Sequence, residues 1–141
     1  MSAKSPAFVP LALALLLCSS CAVGNNQVLQ TSESQVKLRS FQSRAFETTD
    51  EEQTLRTVIA TLQDLGFIID KADLELGTVS GTKLSGYQLR MTVSVRPRGQ
   101  SQLVVRANAQ YNLKPVEDPE PYQQFFEALQ KAMFLEAQSV E

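Results

Sequence analysis

The stretch YQLRMTVSVRPRGQSQLVVRANAQY, residues 87–111, contains two runs in which apolar and polar side chains alternate. The first run is residues 87–96 and the second is residues 103–111, with a turn containing Pro and Gly at residues 97–101. Such alternation is typical of a β-strand with one buried and one exposed face. Pairing residues whose numbers sum to 198 sets Val95 opposite Leu103 and Met91 opposite Ala107, so that both apolar faces coincide. The stretch therefore predicts an antiparallel hairpin with one dry and one wet face.

Residues 49–65 predict the first of two amphipathic helices. Its apolar residues recur at helical spacing and form one stripe: Leu55, Val58, Ile59, Leu62 and Leu65. Two pairs, Thr48 with Glu51 and Thr49 with Glu52, have the spacing of a capping box, in which side chains bond the first free amides. Gly66 is suited to end the helix because glycine adopts the left-handed cap conformation without strain. The apolar stripe needs a sheet beneath it.

A second helix is predicted near the end of the chain. Asp118 is placed to cap it, and Pro119 would take its first position, where a missing amide costs nothing. The apolar stripe of this helix consists of Tyr122, Phe125, Phe126, Leu129, Ala132 and Met133. Phe134 and Leu135 widen the stripe beyond what one sheet face needs.

Three further strands are predicted at residues 37–48, 67–69 and 76–84. Residues 70–75 and 85–86 are predicted turns, residues 114–118 are a predicted loop, and Gly77 and Gly81 predict bulges. Phe41 and Phe46 have opposite parity, so the first strand needs a bulge or a cover on both faces. The order of elements predicts an α+β domain over residues 37–141. We expect a two-layer sandwich, in which two amphipathic helices cover one face of an antiparallel sheet of about four to five strands.

Residues 11–21, LALALLLCSSC, are an apolar run that closes on a cysteine, and the only charge before them is Lys4. The run is shorter than the roughly 20 residues that a membrane-spanning helix needs, so residues 1–20 are a predicted secretory signal that is cleaved. Ser19, Ser20 and Cys21 behind the leucines resemble the lipobox of bacterial lipoproteins, with Cys18 where that family usually has leucine. The resemblance implies that Cys21 is lipidated with a palmitate-type chain and becomes the first residue. The alternative is a plain secreted protein.

The position of the protein in the cell follows from the same resemblance. In lipoproteins of Gram-negative bacteria an aspartate after the cysteine favours the inner membrane. Ala22 in that position therefore implies a lipid-anchored protein of the outer membrane that faces the periplasm. Residues 21–36 hold the lipidated Cys21 and are rich in Ser, Gln and Asn, which predicts a flexible tether between lipid and domain. An ordered arm lying on the domain is the alternative.

The order of elements, together with the lipoprotein start, resembles the helix-grip-like domains of BamC-type outer-membrane assembly lipoproteins. The resemblance covers roughly residues 38–137 and rests on no diagnostic motif, so no functional residue is carried over from that family. It implies a protein that assists the assembly of an envelope complex.

Composition and motifs argue against an enzyme. The chain has 13 basic and 15 acidic residues, no histidine, and cysteines only at positions 18 and 21, so nucleic acid and zinc are poor candidates for binding. Ser80 and Lys83 have the S-x-x-K spacing of penicillin-binding enzymes. That chemistry needs a helix, whereas the string lies in a predicted strand, where residues three apart point to opposite faces. Four acidic residues lack the spacing of a calcium loop: Asp64, Asp70, Asp73 and Glu75. We expect no catalytic residue, no metal and no cofactor.

The wet face of the hairpin is the candidate binding site. It carries Arg90, Arg96, Arg106 and Asn108, and the predicted register sets Arg106 opposite Thr92 and Arg90 opposite Asn108. This face is either an ordinary solvated surface or a docking surface for another envelope protein, because arginine and amide groups are good recognition groups. The predicted function is a non-enzymatic accessory or assembly subunit of an envelope complex. The alternative is a carrier that binds an apolar ligand between helices and sheet.

Overall fold

The computed structural model describes residues 25–85 and 87–138. The described residues from 34 onward form one compact unit, and residues 25–33 lie in another one. The predicted signal peptide, Cys21 and Gly86 of the predicted turn at residues 85–86 lie outside the described residues. The elements, in chain order, are α1 (Asn25–Gln42), β1 (Ser43–Phe46), α2 (Glu51–Asp64), β2 (Ile68–Asp73), β3 (Thr78–Ser85), β4 (Tyr87–Arg98), β5 (Gln102–Tyr111), β6 (Lys114–Pro115) and α3 (Glu120–Gln138).

The six described strands form one antiparallel sheet in the order β1-β5-β4-β3-β2, and β6 also pairs with β5. The predicted α+β class and the antiparallel sheet are confirmed. The sixth strand is β6, a two-residue strand at Lys114–Pro115 in the segment predicted as a loop.

The hairpin of β4 and β5 is present, but its register differs from the predicted one. Val95 pairs with Val105 and Met91 with Ala109, so the paired numbers sum to 200 rather than 198. The cause is the turn: Arg98 already pairs with Gln102, which leaves three residues in the loop instead of five. A shift of two residues preserves the parity of every position, and therefore the predicted dry and wet faces are correct.

Pro97 lies inside β4 rather than in the turn, opposite Leu103. The amide of Val95 donates to the carbonyl of Gly77, on the β3 side of the strand (2.9 Å). The nitrogen of Pro97, two residues on, faces the same side. β3 begins only at Thr78, which pairs with Ser94, so no carbonyl of β3 lies opposite Pro97. Proline has no amide hydrogen to donate, and at this position no hydrogen bond of the sheet is lost.

Helix α2 confirms the predicted stripe but not the predicted cap. Asp50, and neither threonine pair, is the N-cap, and its carboxylate accepts a hydrogen bond from the amide of Gln53 (2.9 Å). Thr48 supports the turn before it by accepting from the amide of Asp50 (3.2 Å). Gly66 follows the helix with φ 86°, as predicted. Asp118 also acts as predicted, since its carboxylate accepts from the amide of Glu120 at the start of α3 (2.9 Å).

Strand β2 is longer than the predicted strand at residues 67–69. It continues through Asp73, so that the predicted turn at residues 70–75 is wrong over its first four residues. The turn comes at residues 74–77. The register of β2 against β3 shifts between Ile69 and Lys71, which makes Asp70 a bulge. The predicted bulge at Gly81 thus belongs to the neighbouring strand, because Gly81 itself is regularly paired with both Ile69 and Met91.

The prediction for residues 37–48 is wrong over residues 37–42, which continue helix α1. Residues 25–36 of the predicted tether are also helical. Leu38 and Phe41 are three residues apart, lie on one side of a helix and pack against the hydrophobic core. This removes the parity conflict between Phe41 and Phe46, since the first is helical and only the second lies in a strand. No helix among the described residues combines the length and the hydropathy needed to cross a bilayer.

The hydrophobic core combines side chains of the dry sheet face with side chains of helices α2 and α3. Its buried side chains come from α2 (Leu55, Val58, Leu62), the sheet (Val79, Met91, Val93, Val95, Leu103, Val105, Ala107, Ala109) and α3 (Tyr122, Phe125, Phe126, Leu129), with Phe67 and Val116 beside them. In contrast, Phe134 and Leu135 at the end of α3 are exposed. These two side chains, which widen the predicted apolar stripe of α3, therefore do not enter the core.

Candidate docking surface

The outer sheet face is the side of the sheet that carries the even-numbered residues of β3, β4 and β5. All four predicted site residues, Arg90, Arg96, Arg106 and Asn108, belong to it and are exposed. The register sets Asn108 opposite Thr92, Arg106 opposite Ser94 and Arg90 opposite Gln110, each two residues from the predicted pairing. The structure thus brings these side chains onto one surface, on the side of the sheet away from the core.

Arg96 is held by backbone carbonyls at one end of this face. Its Nη1 donates to the carbonyls of Leu76, Gly77 (3.4 Å) and Val95 (2.8 Å). Gly77 has φ 55°, and a Cβ on it would come within 2.7 Å of the Arg96 guanidinium. The turn and the arginine therefore fit closely around each other. This arrangement stabilises the turn between β2 and β3, and it leaves Arg96 less able to reorient toward a partner than the other site residues.

Arg90 has an acidic neighbour that the sequence did not indicate. Its Nε lies 3.7 Å from a carboxylate oxygen of Asp70, and the same oxygen accepts a hydrogen bond from Thr82 (2.6 Å). The bulge in β2 places Asp70 on the outer sheet face. The sequence could not predict this contact between Arg90 and Asp70, because it depends on the bulge in β2 and on the order of β2, β3 and β4 in the sheet. Asp70 is instead predicted to lie in a turn.

Arg106 and Asn108 are exposed neighbours on the outer face of β5. Arg106 donates from Nε to the hydroxyl of Ser43 on β1 (3.3 Å). The ion pairs among the described side chains join Arg56 to Glu52, Lys71 to Asp73, and Arg90 to Asp70, so Arg106 is in none of them. An exposed guanidinium next to an exposed amide presents several hydrogen-bond donors to solvent on two positions of one strand.

Two exposed apolar side chains extend the outer sheet face, and sequence reasoning missed them. Ile68 on β2 is 69% exposed and Leu84 on β3 is 75% exposed. Ile68 pairs with Thr82, and Leu84 lies two residues farther along β3, so both point to the same side as Arg90. The parity of Leu84 relative to Val79 was a signal that could have identified it. A basic surface with an apolar corner is typical of protein-binding surfaces.

The other candidate constellations are not assembled. Ser80 pairs with Thr92 on the outer sheet face, whereas Lys83, three residues away, points to the opposite face, with Nζ 5.9 Å from the ring of Phe67. Asp73 accepts a hydrogen bond from the amide of Leu76 (2.9 Å), which is a structural role in the turn. Within the described part of the chain, no group of three or more histidine, cysteine, aspartate or glutamate residues is placed to hold a metal ion.

No protein-family model matches the chain, and no curated protein matches it either. The chemistry of the site therefore rests on its geometry.

Proposed function

We propose that the chain is a non-enzymatic outer-membrane lipoprotein, anchored through Cys21, that docks another protein of the envelope in the periplasm. In this proposal helices α2 and α3 form one layer and the sheet forms the other, so that the outer sheet face is available to a partner. The resemblances to the lipobox and to BamC-type assembly lipoproteins are consistent with this role and stay predictions.

The observation that carries the proposal is the composition of the outer sheet face. It combines exposed arginines and an exposed asparagine with Ile68 and Leu84, which are large apolar side chains in water. Burying an apolar side chain of this size against a partner contributes roughly 1.5–3 kcal/mol. The arginines would add selectivity for a partner that presents carboxylates.

The alternative, a carrier of an apolar ligand between helices and sheet, has less support. The helix side chains that face the sheet, such as Leu62 and Phe125, are fully buried against it. Phe134 and Leu135, which widen the predicted apolar stripe, are mostly exposed rather than buried between helices and sheet. Both observations favour docking on a surface over enclosure of a ligand.

The proposal is tested with the double substitution Arg106→Glu and Asn108→Asp. Neither residue belongs to an ion pair among the described side chains, so we expect an unchanged melting curve. If the face binds an acidic partner, crosslinking in cells should fall by tenfold or more, since like charges across an interface repel.

The matched control is Lys131→Glu with Gln123→Glu, which makes the same change of net charge on exposed positions of α3. This variant should crosslink like the wild type. If both double variants lose the crosslinks equally, net charge and not the outer sheet face is responsible, and the proposed docking surface is wrong. Unchanged crosslinking of the first variant would have the same consequence.

A further inference from the structure

A concave surface lies where α2 begins and α3 ends. This groove has a volume of about 780 Å³ and lies between the loop that follows β1, the first turns of α2 and the last turns of α3. Its apolar part consists of Phe46, Met133 and Phe134, and Phe134 is 62% exposed. A large aromatic side chain that borders a groove and is mostly in water is a common feature of binding surfaces.

The groove is also acidic. Glu47, Asp50 and Glu136 line it, and none of its eleven described lining residues is Lys or Arg. Each carboxylate has a neutral donor: Glu47 accepts from Gln102, Asp50 from the amide of Gln53, and Glu136 from Thr57 (3.2 Å). The ion pairs among the described side chains lie elsewhere. The negative charge of the groove is therefore not balanced by a salt bridge within the described part of the chain.

Glu136 stands where helix energetics disfavour an acid. It lies in the last turn of α3, which has no basic residue, and the end of a helix carries a partial negative charge. Asp50 serves as a helix cap, but capping does not explain Glu136. The hydrogen bond from Thr57 joins Glu136 to α2 but supplies no positive charge, and positions that break a local rule are found preferentially at functional sites. A positively charged occupant would be attracted both by Glu136 and by the helix end.

We infer that this groove binds a segment of a partner protein in which Lys or Arg flanks a large apolar side chain. The apolar side chain would pack on Phe46, Met133 and Phe134, and the basic groups would reach the three carboxylates. A protein segment is favoured over a small ligand because the groove is open: four of its lining residues are exposed, namely Glu47, Asp50, Phe134 and Glu136. Pockets for small ligands, in contrast, bury about 70–90% of the surface of the ligand. This site is separate from the outer sheet face and does not depend on the proposed function.

The experiment measures binding of a short fluorescein-labelled peptide made of Lys, Leu and Ser to the purified full chain by fluorescence anisotropy. Two further peptides, one with Glu for Lys and one with Ser for Leu, test charge and apolar contact separately. We expect the first peptide to bind, the other two to bind at least tenfold more weakly, and the affinity of the first to fall as salt is raised.

Two variants locate the binding site. Phe134→Ser removes an exposed side chain, so the fold should be unaffected, and we expect about a tenfold loss of affinity, equivalent to about 1.4 kcal/mol. Its control is Leu113→Ser, an apolar position that is even more exposed (91%) and does not line the groove. Glu47→Gln with Glu136→Gln should weaken binding and flatten its salt dependence. The control with the same net charge is Glu117→Gln with Glu127→Gln.

The inference is overturned if the groove variants bind the peptide as well as their controls do, because binding would then follow the overall charge of the chain. It is also overturned if the peptide with Glu binds equally. If Phe134→Ser instead abolishes a concentration-dependent self-association of the chain, the occupant is a second copy and not a basic partner. None of these results depends on crosslinking through the outer sheet face, so the two proposals fail independently.

Discussion

The hydroxyl of Tyr122 joins three parts of the fold in a fully buried position. It donates to the carbonyl of Val116 (2.8 Å), and it accepts from the amide of Ala109 on β5 (3.2 Å) and from the side chain of Gln42 at the end of α1 (3.3 Å). Ala109 lies on β5 between the residues paired with β1 and those paired with β6, and its carbonyl accepts from the amide of Val116 (2.9 Å), but neither described strand pairing supplies an acceptor for its own amide. The tyrosine thus replaces a missing ladder partner of the sheet.

We expect Tyr122→Phe to lower the free energy of unfolding by about 1–3 kcal/mol, because a buried carbonyl and a buried amide lose their partner. Chemical denaturation measures the change. Gln42→Ala is the comparison, since it removes one longer bond at a half-buried site and should cost less. Equal stability of Tyr122→Phe and the wild type would mean that the hydroxyl is replaceable at no cost.

Helix α2 has a buried side and an exposed side that a pair of substitutions can compare. Leu62 is fully buried against the sheet, and Gln63, the next residue, is exposed. Leu62→Ala should therefore cost about 2–5 kcal/mol, because it leaves a cavity in the core. Gln63→Ala should change the stability little. The measurement is the melting temperature of both variants, and the same value for the two would contradict the orientation of α2.

Among the elements, periodic patterns predicted which face of a strand or helix is buried, but not the register of the strands or where the elements begin and end. Alternation in β4 and β5 gave the correct faces, but the register depends on the length of the turn, and Pro97 was assigned to the turn rather than to the strand. Helix α1 has only Leu38 and Phe41 as apolar contacts in its last turns, and its remaining polar residues carry no helical period. Asp70 and Asp73 predicted a turn because aspartate is common in turns. Both residues belong to β2 instead, with Asp70 at the bulge and Asp73 paired with Thr78.

At the scale of the whole molecule, charge is distributed unevenly between two surfaces. The outer sheet face carries Arg90 and Arg106, and the groove on the helix side carries Glu47, Asp50 and Glu136. The arginines were predicted as a site because alternation places them on one face. The groove was not predicted, since it combines residues about 80 positions apart in sequence, as in the bond between Thr57 and Glu136.

The predicted lipid attachment point, Cys21, allows the membrane localisation of the protein to be tested. We expect Cys21→Ser to abolish labelling with radioactive palmitate and to release the protein from the membrane fraction, because the thiol is the predicted attachment point. The domain of the released protein should keep the melting curve of the wild type. Cys18→Leu should be processed at least as well as the wild type. Continued incorporation of palmitate into the Cys21→Ser variant would rule out this cysteine as the lipid attachment point.

The bulge in β2 also affects how the protein behaves at high concentration. β2 is the last strand at one side of the described sheet, and an unpaired strand offers its amides and carbonyls to any extended chain that collides with it. The irregular backbone at Asp70, with charges on Lys71 and Asp73 beside it, interrupts that row of groups. The same residue that places a carboxylate beside Arg90 therefore also protects the protein against edge-to-edge aggregation.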